Sequence, residues 1–116
     1  MPSPNIVSPT SIVLKSIGTS VGTSNLTVVT CPSNKSIKVS SLMAANVTAT
    51  ASSISLRFDD GTATHSMMAS IAVPDNATLL CITRENPAYL KEGEKIEAVC
   101  DAENAIHLTG SYEEIS

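Results

Sequence analysis

Ser53-Ile54-Ser55-Leu56-Arg57-Phe58-Asp59-Asp60-Gly61 decides the class of fold. Ile54, Leu56 and Phe58 share one parity and Ser53, Ser55 and Arg57 the other, which is the period of a strand with one face on a core. The Asp-Gly that follows is a strong hairpin signal, because the central residues of a type I′ turn take positive φ. The expectation is a tight turn into a second strand over 63–73, with Met67, Ala69, Ile71 and Val73 facing inward. Outward from this hairpin, runs rich in Val, Ile, Thr and Ser recur about every 8 to 14 residues between Gly, Asn, Asp and Pro, the spacing of a sandwich or barrel. Eight strands are expected, over 10–17, 24–31, 35–45, 51–59, 63–73, 77–84, 94–101 and 104–114. In the third, Ile37 and Val39 share a parity that Leu42 breaks, so Ser40-Ser41 is a candidate β-bulge. The last alternates again, with Ile106, Leu108, Gly110 and Tyr112 inward and His107, Thr109 and Glu113 outward. No capped amphipathic run predicts a helix; Met43-Ala44-Ala45 is too short to form one.

The chain has 116 residues, room for one core, and 29 of them are Ser or Thr, which suits strands. The fold class expected is all-β: an antiparallel β-sandwich of jelly-roll or immunoglobulin-like type over 10–116. Leu56, Phe58, Met67, Ile71, Leu80, Ile96, Ile106 and Leu108 are its predicted core. Residues 1–9 hold three of the six prolines, which forbids a central strand or a helix and predicts an extended N-terminal arm. With one Phe, two Tyr and no Trp, small aliphatic side chains must do most of the packing.

A net charge of −4 with no cluster of Lys and Arg argues against nucleic acid as a partner. No apolar run reaches the roughly 18 residues of a membrane span. Met-Pro-Ser-Pro-Asn has neither the basic start nor the apolar stretch of a signal peptide, so a cytosolic site of synthesis is expected. Cys31, Cys81 and Cys100, an odd number without CxxC spacing, read as reduced and mostly buried.

Candidate chemistry is sparse. His65 and His107 fall on different strands without ligand-spaced neighbours, which does not suit zinc. Asp59 and Asp60 fit turn chemistry better than a carboxylate pair or a calcium loop, since further regularly spaced oxygen ligands are missing. No phosphate loop, GxSxG elbow or Cys/His pair occurs, so the chain is read as having no catalytic residues, no metal and no cofactor. Tyr89 is the one plausible exposed ring on which a sugar would stack. Asn25, Asn34, Asn46 and Asn76 each begin an Asn-X-Ser/Thr triplet and are read as turn and strand-end residues.

What remains is apolar surface facing away from the core. Met68 and Ala72 stand opposite the inward stripe of the fifth strand, Leu79 opposite Leu80, and Val99 adds to the same region. An apolar strand on both faces implies cover on both. With Ile6 and Val7 of the arm, Met68, Leu79 and Val99 are the candidate interface of a homo-oligomer, a trimer before a dimer.

Val29-Thr30-Cys31-Pro32-Ser33-Asn34-Lys35-Ser36, followed by Val39-Ser40-Ser41-Leu42 and Ala45-Asn46, resembles a family of small tailed-bacteriophage and prophage virion proteins. Its "t-x-P-x-x-k-s" lead-in to a strand is matched, and Ile71-Ala72-Val73-Pro74, Tyr89-Leu90-Lys91-Glu92-Gly93-Glu94 and Gly110-Ser111-Tyr112-Glu113-Glu114-Ile115 look like its "v-x-v-P", "L-x-x-G-D" and "G-S-x-x-E-I" blocks. The resemblance runs from about residue 25 to the end and departs at Glu94, where the family has Asp, and in the scarcity of aromatics. It implies a non-enzymatic β-sandwich subunit of a virion, made in the cytoplasm of a bacterial host. Such a subunit is a capsid decoration or cement protein, or a neck or tail component, with the major capsid protein or neck and tail proteins as partners. The alternative is a carbohydrate- or receptor-binding module of a tail fibre.

Overall fold

The computed structural model describes residues 11–83 and 85–116; the expected arm, with Ile6 and Val7, lies outside the described residues. Nine strands follow in order among the described residues: β1 (Ile12–Val21), β2 (Leu26–Thr30), β3 (Ser36–Asn46), β4 (Ser52–Asp59), β5 (Thr64–Val73), β6 (Thr78–Ile82), β7 (Ala88–Leu90), β8 (Lys95–Cys100) and β9 (Ile106–Ile115). No helix forms among the described residues. Eight of these strands match the expected runs within a few residues; β7, a three-residue strand after Pro87, is additional.

The pairing is nested. β1 pairs β9, β2 pairs β8, β3 pairs β6, and β4 pairs β5, all antiparallel. Successive pairs fall in alternate sheets, giving one sheet ordered β1-β9-β3-β6, with β7 beside β3, and a second ordered β2-β8-β4-β5. A long hairpin wound into two facing sheets in this way is a jelly roll, which resolves the two sandwich types allowed by the sequence.

The core between the sheets is aliphatic: Val21, Ile37, Val39, Leu42, Ile54, Leu56, Ile96, Ile106 and Leu108 are all buried. Phe58 and Tyr112 pack against it from its margin. The expected bulge is present, with the β3–β9 register slipping between Val39 and Ser41. There the backbone of β3 approaches β9 so closely that a Cβ on Gly110 would lie 2.2 Å from the Ser41 carbonyl oxygen. Only glycine fits that crossing.

Three expected core residues are not in the core. Met67 and Ile71 on β5 are exposed, and Leu80 on β6 is 61% exposed. The faces predicted as outward are corrected too, because Met68 and Leu79 pack against the core. For Met67 and Leu80 the cause is bulges that parity alone does not reveal, whereas Ile71 keeps its expected pairing opposite the buried Ile54 and is exposed because β5 borders its sheet. On β5 the register slips between Ile54 and Leu56 and again between Leu56 and Arg57, so Met68 lands opposite Leu56 on the inner face. On β6 it slips between Leu42 and Met43, which turns both Ile82 and Leu79 inward and Leu80 out.

The β4–β5 connection is also not a two-residue type I′ turn. It spans Asp60 to Ala63, closed by Asp60 N–H to the Ala63 carbonyl at 3.1 Å, with positive φ at Gly61 alone. Asp59 accepts the Gly61 N–H, and Asp60 accepts those of Thr62 and Ala63. These bonds stabilise a longer loop that the Asp-Gly pair by itself does not predict.

Candidate interaction surfaces

The first half of β1 is apolar on both faces. Ile12 is 52%, Val13 46% and Leu14 77% exposed, whereas Ile17 and Val21 further along are buried. Odd positions of β1 face the second sheet and even positions face outward, so Leu14 stands on the outer surface and Val13 at the uncovered margin of the inner one. Among the described residues β1 ends its sheet and pairs with β9 alone. The sequence reading missed Ile12, Val13 and Leu14, although three consecutive large aliphatics carry the signature of a strand covered on both sides.

A second apolar margin lies across the molecule. β5 and β6 end their respective sheets at the side away from β1, and they carry Met67, Ile71 and Leu80. Of the residues expected at an interface, Val99 is half-buried on the outer face of the four-stranded sheet. It lines a groove of about 210 Å³ with Ser53, Ser55, Arg57, Ser70 and Asp101. Val99, Met68 and Leu79 therefore do not form one patch.

A larger open hollow, of about 470 Å³, lies between the β3–β4 and β8–β9 loops and is bordered by Thr48, Thr50, Ser52, Asp101 and Glu103. Its carboxylates are engaged with the fold. Glu103 accepts the Thr23 N–H at 2.8 Å and the Thr23 hydroxyl, which hold its carboxyl below the usual value. Asp101 accepts the Ser53 N–H at 3.1 Å and is lowered likewise. Asp60 is lowered by its bonds to Ala63 and Thr62. Among the described residues, no three of His, Cys, Asp and Glu are grouped to hold a metal ion.

The three thiols are free, Cys31 and Cys100 buried and Cys81 half-buried. Burial pushes Cys31 up to about 11, with the nearby Glu114, Glu94 and Glu92 adding to the rise, and burial does the same for Cys81, to about 11. Such thiols stay protonated and unreactive at neutral pH. Asn46 is a structural residue. Its Nδ2 donates to the Thr50 and Val73 carbonyls and its Oδ1 accepts from the Thr48 N–H and hydroxyl, so all its hydrogen-bonding capacity is used. Asn34 and Asn76 sit at positive φ in turns, as the turn reading expects. Glu114, buried between the sheets, is paired with Lys15 at 3.3 Å and Lys35 at 3.5 Å. Tyr89 is 56% exposed on β7, opposite Lys38 of β3.

Comparison with known protein families, with characterised proteins and with solved structures gives no match for this chain.

Proposed function

We propose that this chain is a non-enzymatic structural subunit of a bacteriophage virion, a capsid decoration or cement protein, with a neck or tail component as the nearest variant. Its work is to cover surface against copies of itself and against other virion proteins such as the major capsid protein. The observation that carries this reading is the exposed Ile12-Val13-Leu14 run at the free edge of a jelly roll. Burying side chains of that size contributes about 1.5–3 kcal/mol each, so one such edge supplies a substantial contact. The sequence blocks that resemble those of virion proteins are consistent with this reading. They fall where the chain passes from β2 to β3, at the end of β5, at β7 and the turn after it, and on β9.

The test is to locate the chain in an image reconstruction of a purified particle. Density for the jelly roll on the head, neck or tail supports the reading, and absence of the chain from particles overturns it. The exposed Tyr89 supports a second reading, a carbohydrate-binding module of a tail fibre, because a ring face presented to solvent stacks on apolar faces of sugars. Glycan binding that disappears in Tyr89→Ala would favour that role.

A further inference from the structure

The free edge of β1 has an unusual regularity. Ten consecutive residues, Ile12 to Val21, pair with β9 in an unbroken register. Ser11 and Ser116 continue that register and exchange both backbone bonds, at 3.0 and 2.9 Å. In an antiparallel ladder, doubly bonded pairs alternate with pairs whose backbone groups point away from each other. Val13, Lys15, Ile17, Thr19 and Val21 are therefore bonded to β9, and Ile12, Leu14, Ser16, Gly18 and Ser20 direct their N–H and C=O groups to the open side.

We propose that two copies of this chain join free edge to free edge along β1, antiparallel about a twofold axis at Ser16, so that their five-stranded sheets become one. The proposal rests on the structural-subunit reading and names the contact that serves it. Centring the pairing on Ser16 sets Ile12 opposite Ser20 of the second copy, Leu14 opposite Gly18, and Ser16 opposite itself. Every outward-directed backbone group of the five residues then acquires a partner, and no other centre uses all of them. The side chains fit the same register. Leu14, the most exposed large apolar residue among the described residues, meets Gly18, which has nothing within 4 Å of where a Cβ would stand. On the inner face Val13 meets Thr19, and Lys15 meets Ile17. Lys15 is the strand's single charge and is already paired with Glu114, so the edges meet without an uncompensated like charge. A second copy is favoured over an unrelated extended segment because one strand supplies both halves of this fit. β5, the other long edge strand, is broken by two register slips and offers no such continuous ladder.

The test uses the full chain. Sedimentation at about 10–100 μM is expected to give the mass of two copies. In Ser16→Cys the two new thiols sit on residues about 5.5 Å apart at Cα, inside the disulfide range of about 4.4–6.8 Å, and mild oxidation links the pair. In Ser20→Cys they lie eight residues apart along the strands, roughly 27 Å, and no link forms. Ser16→Pro removes an N–H that one copy alone leaves unbonded, so the fold tolerates it. It breaks both central bonds of the twofold contact and raises the dissociation constant about a hundredfold or more. Leu14→Lys, on an exposed side chain, gives a second route to the same loss. A monomer at 100 μM, a mass of three copies, equal cross-linking at positions 16 and 20, or a pair that survives both Ser16→Pro and Leu14→Lys would each overturn the proposal. A monomer that still binds particles lacking it removes this contact and leaves the structural role standing. A cross-linked pair that is absent from every particle does the reverse.

Discussion

β1 and β5 are both ten-residue strands at the border of a sheet, both largely exposed, and they treat that position in opposite ways. β5 slips register twice against β4 and holds Ser70 at a φ of 49°, in the left-handed region. Its backbone is bent where an incoming strand would need it straight, which is a usual protection of an edge. β1 carries no bulge and no proline, and its only charge is tied to Glu114. One edge is blunted and the other is left open. The difference separates a border that merely ends a sheet from one shaped to be continued.

The sharpest way to break this contrast is at Gly110, where β9 passes Ser41 on one side and pairs Ile17 of β1 on the other. Gly110→Ala forces a Cβ against a backbone oxygen that cannot turn aside. We expect a loss of about 3 kcal/mol in urea unfolding, and a loss below about 0.5 kcal/mol would show that the crossing has slack. Next in size is a paired measurement on the two strands. Ile17→Ala removes a buried side chain of β1 and is expected to cost about 2–4 kcal/mol, whereas Ile71→Ala on β5 is expected to cost under about 1 kcal/mol. Equal losses would mean that β5 is covered where the structure leaves it open.

Smaller again is Ser70→Gly, which keeps the N–H bonded to the Ser55 hydroxyl at 2.9 Å and removes the penalty for a side chain at positive φ. Stability should rise by about 0.5–1 kcal/mol, read as a higher Tm; a fall would remove the bulge from the account of β5. The smallest effect concerns the turn that leads into β5. Asp60 is held below its ordinary value of 3.8 by the N–H groups of Ala63 and Thr62. Its contribution is therefore complete above that value and is lost as pH falls through the lower, folded one. Asp60→Asn should flatten part of the decline in urea midpoint as pH falls below about 4, and an unchanged decline would place the acid sensitivity elsewhere.

The two-sheet class was legible because the first parts of β4 and β9 alternate strictly, so Ile54, Leu56, Ile106 and Leu108 announce one buried face. The bulge at Ser40-Ser41 was legible for the complementary reason, since Leu42 visibly breaks the parity of Ile37 and Val39. β5 gave no such warning. Met67, Ala69, Ile71 and Val73 form a self-consistent stripe, and nothing in Ser70 announces positive φ, which glycine or asparagine would have done. Two inserted residues reverse and then restore the faces, a result fixed by pairing with β4 and not by local preference. Cys81 hides the β6 slip in the same way, because Leu79, Leu80 and Ile82 are apolar in either register. Which strands stand at a border depends on the nested pairing, and that pairing is set by contacts between distant parts of the chain. The exposed face of Ile12-Val13-Leu14 became meaningful only once β1 was placed there.

The nested order has a consequence for synthesis. β9 is the strand that joins β1 to β3, and it is the last of the nine to leave the ribosome. Until then β1 has no neighbour in its own sheet, and its apolar first half waits without a template through the translation of nearly the whole domain. Folding should accordingly wait for β9 and be slow, on the order of milliseconds to seconds, as expected when non-local pairing dominates. A ribosome stalled before Ile106 would hold a chain whose stickiest strand is also its least protected, an opportunity for chaperone capture that disappears once β9 inserts between β1 and β3.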